Sequence, residues 1–235
     1  VYFIPYGIDT VFFHPRDKAL SRINDSDAPR CVFAGFWLRD TPTLAQVVEK
    51  VITQRPEVQF DMIVPRGKPR EDPALLRIAR HEQISWYAGV SDERLRDLYQ
   101  RASLLVFPLL DCGANNTLLE AMACGLPIVS NNVGGIRDYT QETFADLLPV
   151  GDVEGMTNAI LRLLDNHQER QERGTAARAF AEQHLRWEKI AADSGYEPAK
   201  EVLREFKRRG LDTKIASSAQ DSGRGGEKKR RPHIS

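Results

Sequence analysis

One carboxylate, Glu120, stands a few residues inside an apolar stretch that is introduced by Asp111-Cys112-Gly113-Ala114-Asn115-Asn116-Thr117. These residue types can do chemistry together. A helix N-terminus presents unpaired N–H groups and a partial positive charge, so it attracts anions. Gly113 and Ala114 keep such a mouth open to a phosphate or a sugar hydroxyl. Asn115, Asn116 and Thr117 add side-chain donors and acceptors, and Glu120 offers two acceptor oxygens that suit a vicinal diol. The same residues also admit a structural reading. Thr117-Leu118-Leu119-Glu120 has the form of a capping box, Gly125 before Pro127 is a helix stop, and Gly134-Gly135 is a turn signal. The residues alone imply an anion or polyol site at a strand end and leave both readings of Glu120 open.

Other chemistries find little support. Cys31, Cys112 and Cys124 are odd in number and far apart, which argues for a reducing compartment and against a disulfide framework. There is no Cys-x-x-Cys, and His14, His81, His167, His184 and His233 are scattered, so the spacing gives no metal site. Gly35 stands alone without the Gly-x-Gly-x-x-Gly of a dinucleotide fold, which disfavours an NAD-dependent dehydrogenase. The 235 residues carry 33 basic and 33 acidic side chains, and this zero net charge gives no global attraction to nucleic acid. No apolar run approaches the ~18 residues of a spanning helix. The opening VYFIPYGIDTVFFHP lacks a basic flank and carries two prolines, unlike a signal peptide. Beginning on Val, the chain reads as a fragment.

The elements that must position these residues alternate. Arg30–Phe36 is a short apolar run with a buried-strand signature. A helix follows over 41–55, with Thr41 as its cap, Pro42 in its first turn and Pro56 beyond its end. Its Leu44, Val47, Val48, Val51 and Ile52 share one face. Strands are expected at 58–65, 84–90 and 103–110, separated by helices at 72–82 and 91–102. Ser91 caps the latter, and Asp92 and Glu93 stand in its dipole-favoured first turn. Helix Asn116–Cys124, strand Pro127–Ser130, a sixth strand at 144–150 and amphipathic helices Met156–Leu164 and Gln168–Leu185 complete the pattern. Such alternation predicts an α/β fold, a parallel sheet with helices on both faces, whose ligands bind at the strands' carboxyl ends. Residues 1–24 read as an interdomain segment, 25–192 as the domain, 193–210 as room for one extra helix and 211–235 as a disordered basic tail. A solvated tail explains that last stretch; contact with anionic lipid or RNA is the alternative.

The segment FPLLDCGANNTLLEAMACGLPIVSNNVGGIRDY resembles the donor-site segment of family 4 glycosyltransferases. The likeness extends through GVSDERLRDLYQRASLLVFP, back to PYGIDTVFFHP and forward to RWEKIA, about residues 2–192 in all. It implies the C-terminal half of a GT-B fold: a Rossmann-like domain that binds a nucleoside-diphosphate sugar, facing an acceptor-binding N-terminal domain absent from this chain. It further implies a retaining hexosyltransferase of glycan biosynthesis, with no metal and no other cofactor, no nucleic-acid partner and an acceptor of unknown identity. The parent would be cytoplasmic or peripheral to the inner membrane leaflet. Without its acceptor half the chain is expected to be inactive as a transferase. The alternatives are a non-catalytic nucleotide-binding or scaffolding module, and a sugar-nucleotide epimerase, which shares the GT-B build.

Carried over by position, Glu120 matches the second of two glutamates and would hold the donor ribose hydroxyls as the key catalytic-site group. Gly113, Ala114 and Asn115 match residues whose N–H groups meet the transferred sugar, with Asn116 and Thr117 at the diphosphate. Two departures stand out. The first glutamate falls at Cys112, and Asp111 beside it is the nearest oxygen donor. Cys112 is read as a small turn-lining residue rather than a nucleophile, since no His or Lys nearby would lower its pKa. After Gly35, where the family has a basic pair, Arg39 is the loop's one cation. It is either the diphosphate contact or a surface residue paired with Asp40 or water. Arg66, after the second strand, is a further donor-site candidate near the base. Trp37 is read as a partly buried core aromatic, with stacking on the base as the alternative.

Overall fold

In the computed structural model of this chain, residues 5–16 and 28–193 are described. By its contacts the chain divides into two compact units, Val1–Ile190 and Ala191–Ser235. Of the second, only Ala191–Asp193 fall among the described residues, so the expected extra helix and basic tail, from residue 194 on, lie outside them.

The first unit is built on six parallel strands: β1 (Arg30–Ala34), β2 (Gln59–Ile63), β3 (Ile84–Tyr87), β4 (Leu104–Phe107), β5 (Ile128–Asn131) and β6 (Ala145–Leu148), in the order β3-β2-β1-β4-β5-β6. Register is set by burial on both faces. Arg30 to Ala34 lie opposite Gln59 to Ile63, and Cys31 and Val32 lie opposite Leu104 and Leu105. Helices α1 (Thr41–Gln54), α2 (Lys68–Glu71) and α3 (Pro73–Ile78) make the crossovers from β1 to β3. Then α4 (Asp92–Arg101) returns the chain to β4, and α5 (Asn116–Ala123) links β4 to β5. After β6 come α6 (Val153–Asp165), α7 (His167–His184) and α8 (Trp187–Asp193). The side-chain period of two divides the core. Cys31, Phe33, Phe60, Met62, Leu104 and Val106 pack with α1, α3 and α6. Val32, Leu105, Phe107, Ile128 and Ala145 pack with α4, α5 and α7. The strand order reverses between β1 and β4, and the crevice outside their carboxyl ends is where such sheets bind ligands.

The helix starts show why local signals succeed or fail. Ser91 caps α4 as expected, accepting from Arg94 N. The cap of α1 is Asp40, not Thr41: Asp40 accepts from the Thr43 backbone at 3.1 Å and from its hydroxyl at 2.6 Å. Thr41 is instead the first helical residue, and its hydroxyl donates to Asp72 at 2.9 Å. The helix expected over 72–82 stops at Ile78 and is preceded by the short α2. The leading segment is tied down at several points. Arg178 on α7 donates to the carbonyls of Thr10, Phe13 and Ala123, and Tyr6 N donates to the Tyr139 hydroxyl.

Candidate functional site

The loop leaving β1 is shaped by Gly35 and Arg39. Gly35 has φ +93, which favours glycine, and a Cβ there would push aside the Arg39 guanidinium, whose Nη2 lies 2.6 Å from that position. Arg39 folds back over the strand end. It donates to the carbonyls of Ala34 (3.1 Å) and Trp37 (2.9 Å) and lies over the Phe107 ring at 4.2 Å. Burial pulls its pKa down to about 10, with the Cys112 and Tyr99 groups acting in the opposite sense, so it is charged at neutral pH. The loop is pinned to the exit of β4: Asp40 N donates to Pro108 O and Leu110 N to Leu38 O, both at 3.0 Å. Leu38 takes φ +57 to allow this pairing.

The exit of β4 is held from β5. Asn131, buried at the end of an apolar strand, accepts from Leu109 N at 2.8 Å and donates to Pro149 O at 2.8 Å. Ser130 donates to Phe107 O at 2.6 Å. Beyond Leu110 the chain turns at Asp111-Cys112. The Asp111 carboxylate accepts from Cys112 N at 2.8 Å, and the Cys112 thiol donates to Gly113 O at 3.0 Å. Gly135 N donates to Cys112 O at 2.7 Å. Gly134 has φ +50, and a Cβ there would lie 2.1 Å from Cys112 O. The Gly-Gly pair therefore lets two backbones touch, a role that a turn signal alone does not convey.

Gly113, Ala114 and Asn116 are exposed at the mouth of α5, and a Cβ at Gly113 would meet nothing within 4 Å. Asn115 is the N-cap, yet its side chain makes no capping bond. The longer helices α1, α4, α6 and α7 all have a side-chain cap. Thr117 is already helical, so the capping-box reading fails: Glu120 does not reach back to the helix start. It accepts instead from the Tyr99 hydroxyl on α4 at 3.0 Å, with the Thr117 side chain close to the same hydroxyl. Burial pushes Glu120 up to about 7. The Tyr99 hydrogen bond works against that rise, and the Asp92 charge adds to it. An uncapped helix mouth and a carboxylate with no ion pair among the described residues thus lie along one eight-residue helix.

The structure brings Gly35, Arg39, Cys112 and Gly134 together around the β1 and β4 exits, with Glu120 one turn inside α5. Arg66 is exposed after β2, and among the described residues no hydrogen bond or ion pair joins it to this cluster. Lys68, which the sequence did not single out, places its ammonium 4.8 Å from the Phe36 ring centre and so brings a second cation toward the β1 exit. The surface reading of Arg39 is corrected, because its partners are backbone carbonyls and not Asp40. The core reading of Trp37 is corrected too, since it is 81% exposed. Cys112 is the buried turn residue expected. A cation does face it, but burial outweighs the pull of Arg39 and raises its pKa. Among the described residues no group of three His, Cys, Asp or Glu side chains could hold a metal ion, and no helix is long and apolar enough to cross a membrane. The groove of about 500 Å³ beside Gln46, Glu49, Lys50, Thr53, Gln54 and Arg77 lies along the later turns of α1, away from this edge.

A Rossmann-like parallel sheet with an open helix mouth at its switch point defines the class. The chain belongs to the family described as Glycosyl transferases group 1, which residues 28–166 match. It is 28% identical over 200 residues to MMP alpha-(1->4)-mannosyltransferase of Mycolicibacterium hassiacum, covering 81% of this chain and 46% of that one. The C-terminal domain of a glycosyl transferase group 1 family protein from Francisella tularensis superposes with TM-score 0.64 at 13% identity, covering 77% of this chain and 99% of that chain. Anabaena HepE, solved in complex with UDP and glucose, gives TM-score 0.65 at 14% identity over 86% of this chain and 55% of its own. The chain spans about half the length of the curated relatives it matches. Its fold is thus the Rossmann-like half of a GT-B architecture.

Proposed function

We propose that this domain binds the nucleoside-diphosphate-sugar donor of a retaining, metal-independent hexosyltransferase, with the acceptor held by a separate domain. The observation that carries the reading is Glu120: a carboxylate with no cationic partner among the described residues, one turn inside a helix mouth whose N-cap side chain makes no capping bond. Glu120 accepts the ribose hydroxyls. The N–H groups of the α5 mouth and of Gly113, Ala114 and Asn115 face the diphosphate and the transferred sugar, assisted by the Asn116 and Thr117 side chains. Arg39 supplies the cation for the leaving diphosphate, whose developing charge is stabilised by fixed dipoles rather than by a metal. UDP in Anabaena HepE supports a nucleoside diphosphate as ligand, and the mannosyltransferase relative supports a hexosyl group.

Calorimetric titration with UDP, GDP, ADP and NAD, alongside Glu120→Ala, tests the reading. Saturable binding of one nucleoside diphosphate, lost in the variant, is the expected result. Equal binding by the variant, or none by the folded parent, overturns it. A second reading, a nucleotide-binding module without transfer, is favoured by Cys112, whose buried thiol offers no carboxylate where the resemblance places one. Binding without transfer, even when an acceptor domain is supplied, would select it.

A further inference from the structure

Tyr99 is a fully buried phenol whose hydroxyl is the meeting point of the two helices that frame the candidate site. It donates to Glu120 Oε2 at 3.0 Å, with the Thr117 side chain beside it. Its ring is locked in the core, edge-on to Phe13 with centroids 6.4 Å apart. A buried phenol needs a hydrogen-bond partner, and a backbone carbonyl would serve for stability alone. Tyr99 reaches the site's carboxylate instead. Among the described residues no donor reaches Oε1, so one carboxylate oxygen is fixed and the other edge is left for hydroxyls from outside.

We propose that Tyr99 is a positioning residue: its hydroxyl fixes the Glu120 carboxylate so that its remaining acceptor sites meet the vicinal diol of a nucleotide ribose. The inference rests on the donor-site reading of Glu120. The surroundings make this hydrogen bond consequential. The groups around Glu120 are Tyr99 and the acidic Asp92 on α4 and, one turn on along α5, the Cys124 thiol. Arg96 and Arg178 act on Cys124, and Arg39 acts on Tyr99 across the β4 exit. Among the described residues, the Tyr99 hydrogen bond is the one influence on Glu120 that favours its charged form.

The test is Tyr99→Phe in the full 235-residue chain, titrated by calorimetry with UDP and GDP between pH 5.5 and 9. Glu120→Gln serves as the blank that removes the diphosphate's own protonation. Relative to that blank, the parent should gain affinity as pH rises through the titration of Glu120. Tyr99→Phe should move this midpoint upward, weakening binding about three-fold or more at pH 7 and recovering toward the parent at pH 9. The ¹³C carboxyl shift of Glu120, followed without ligand, should move in step. An unchanged midpoint in both measurements overturns the role of Tyr99 and leaves the donor site intact. If Glu120→Gln binds like the parent at every pH, the donor-site reading fails and takes this inference with it. Should Tyr99→Phe not fold, 3-fluorotyrosine in place of Tyr99, a stronger donor of nearly the same size, replaces it: a midpoint moved downward is expected, and an unmoved midpoint overturns the proposal.

Discussion

Helix α4 serves two carboxylates, one buried and one half-buried, and it treats them differently. Asp61, in the middle of β2 and 0% exposed, receives Arg101 from the end of α4 through two bonds, Nε to Oδ2 at 3.0 Å and Nη2 to Oδ1 at 2.9 Å. Arg30 adds a contact at 3.4 Å, and Arg101 also donates to the Tyr87 hydroxyl at 2.6 Å. Two residues earlier, the same helix gives Glu120 a phenol as its hydrogen-bond donor and, from its first turn, the like charge of Asp92. The first charge is matched inside the fold, so it is architecture. The second has no cation paired with it among the described residues, which is costly unless something outside the fold uses it.

The sharpest break of this comparison is Arg101→Met. Removing one member of a buried pair leaves an uncompensated charge, so unfolding in urea should show a loss of about 3–5 kcal/mol. A loss below about 1 kcal/mol would mean that Asp61 is no better matched than Glu120. Glu120→Gln should act in the opposite direction. Because the folded protein holds the Glu120 proton up to about pH 7, against an ordinary value of 4.5, it binds more protons than the unfolded chain between those values. The Glu120 contribution to stability is therefore most favourable below about pH 4.5 and is lost as pH rises through about 7. Glu120→Gln removes that fall. At pH 8 the variant should be more stable than the parent by about 2–3 kcal/mol, with the gap closing by pH 5. A gap that does not vary with pH would show that Glu120 is matched after all.

The same contrast explains what was legible in the sequence. Asp61, Leu105 or Val106 can be placed from strand pattern, because alternation and length carry that information. Ser91 could be read as a cap because its partner is three residues away. Glu120 was visible as a carboxylate near a helix mouth, but its two readings could not be separated. Whether Thr117 is a cap or already helical depends on where α5 starts, and that boundary is set by the Asp111-Cys112 turn. Tyr99 lies 21 residues from Glu120, and Gly134 lies 22 from Cys112; both meetings come from the sheet's order, not from spacing. Trp37 looked like core because size and apolarity say so. The pairing of residues 38–40 with 108–110 turns it outward instead. Asn131 had a faint signal, a polar residue ending an apolar strand, that was open to being read as a tether.

The turn beside Glu120 gives an intermediate effect. Gly134→Ala would drive a Cβ into the Cys112 carbonyl, a backbone atom that cannot rotate away, at a φ that disfavours side chains. A destabilisation of about 2 kcal/mol is expected. Nucleotide affinity should fall with it, because the turn that sets the start of α5 must move. Lost stability with unchanged affinity would separate the turn from the site.

The smallest expected effect tests how Asp61 is matched. Arg30 makes a single contact at 3.4 Å and its side chain is 28% exposed, so Arg30→Met alone should cost below about 1 kcal/mol and depend on salt. In an Arg101→Met background Arg30 becomes the remaining cation on a fully buried carboxylate, and the same substitution should then cost more. A double-mutant cycle reads that coupling directly. Strong coupling would mean that the two arginines share one compensating role, with the bidentate pair dominant in the intact protein. Strict additivity would mean that Arg30 acts elsewhere, and that two bonds from one guanidinium suffice to turn a buried charge into architecture.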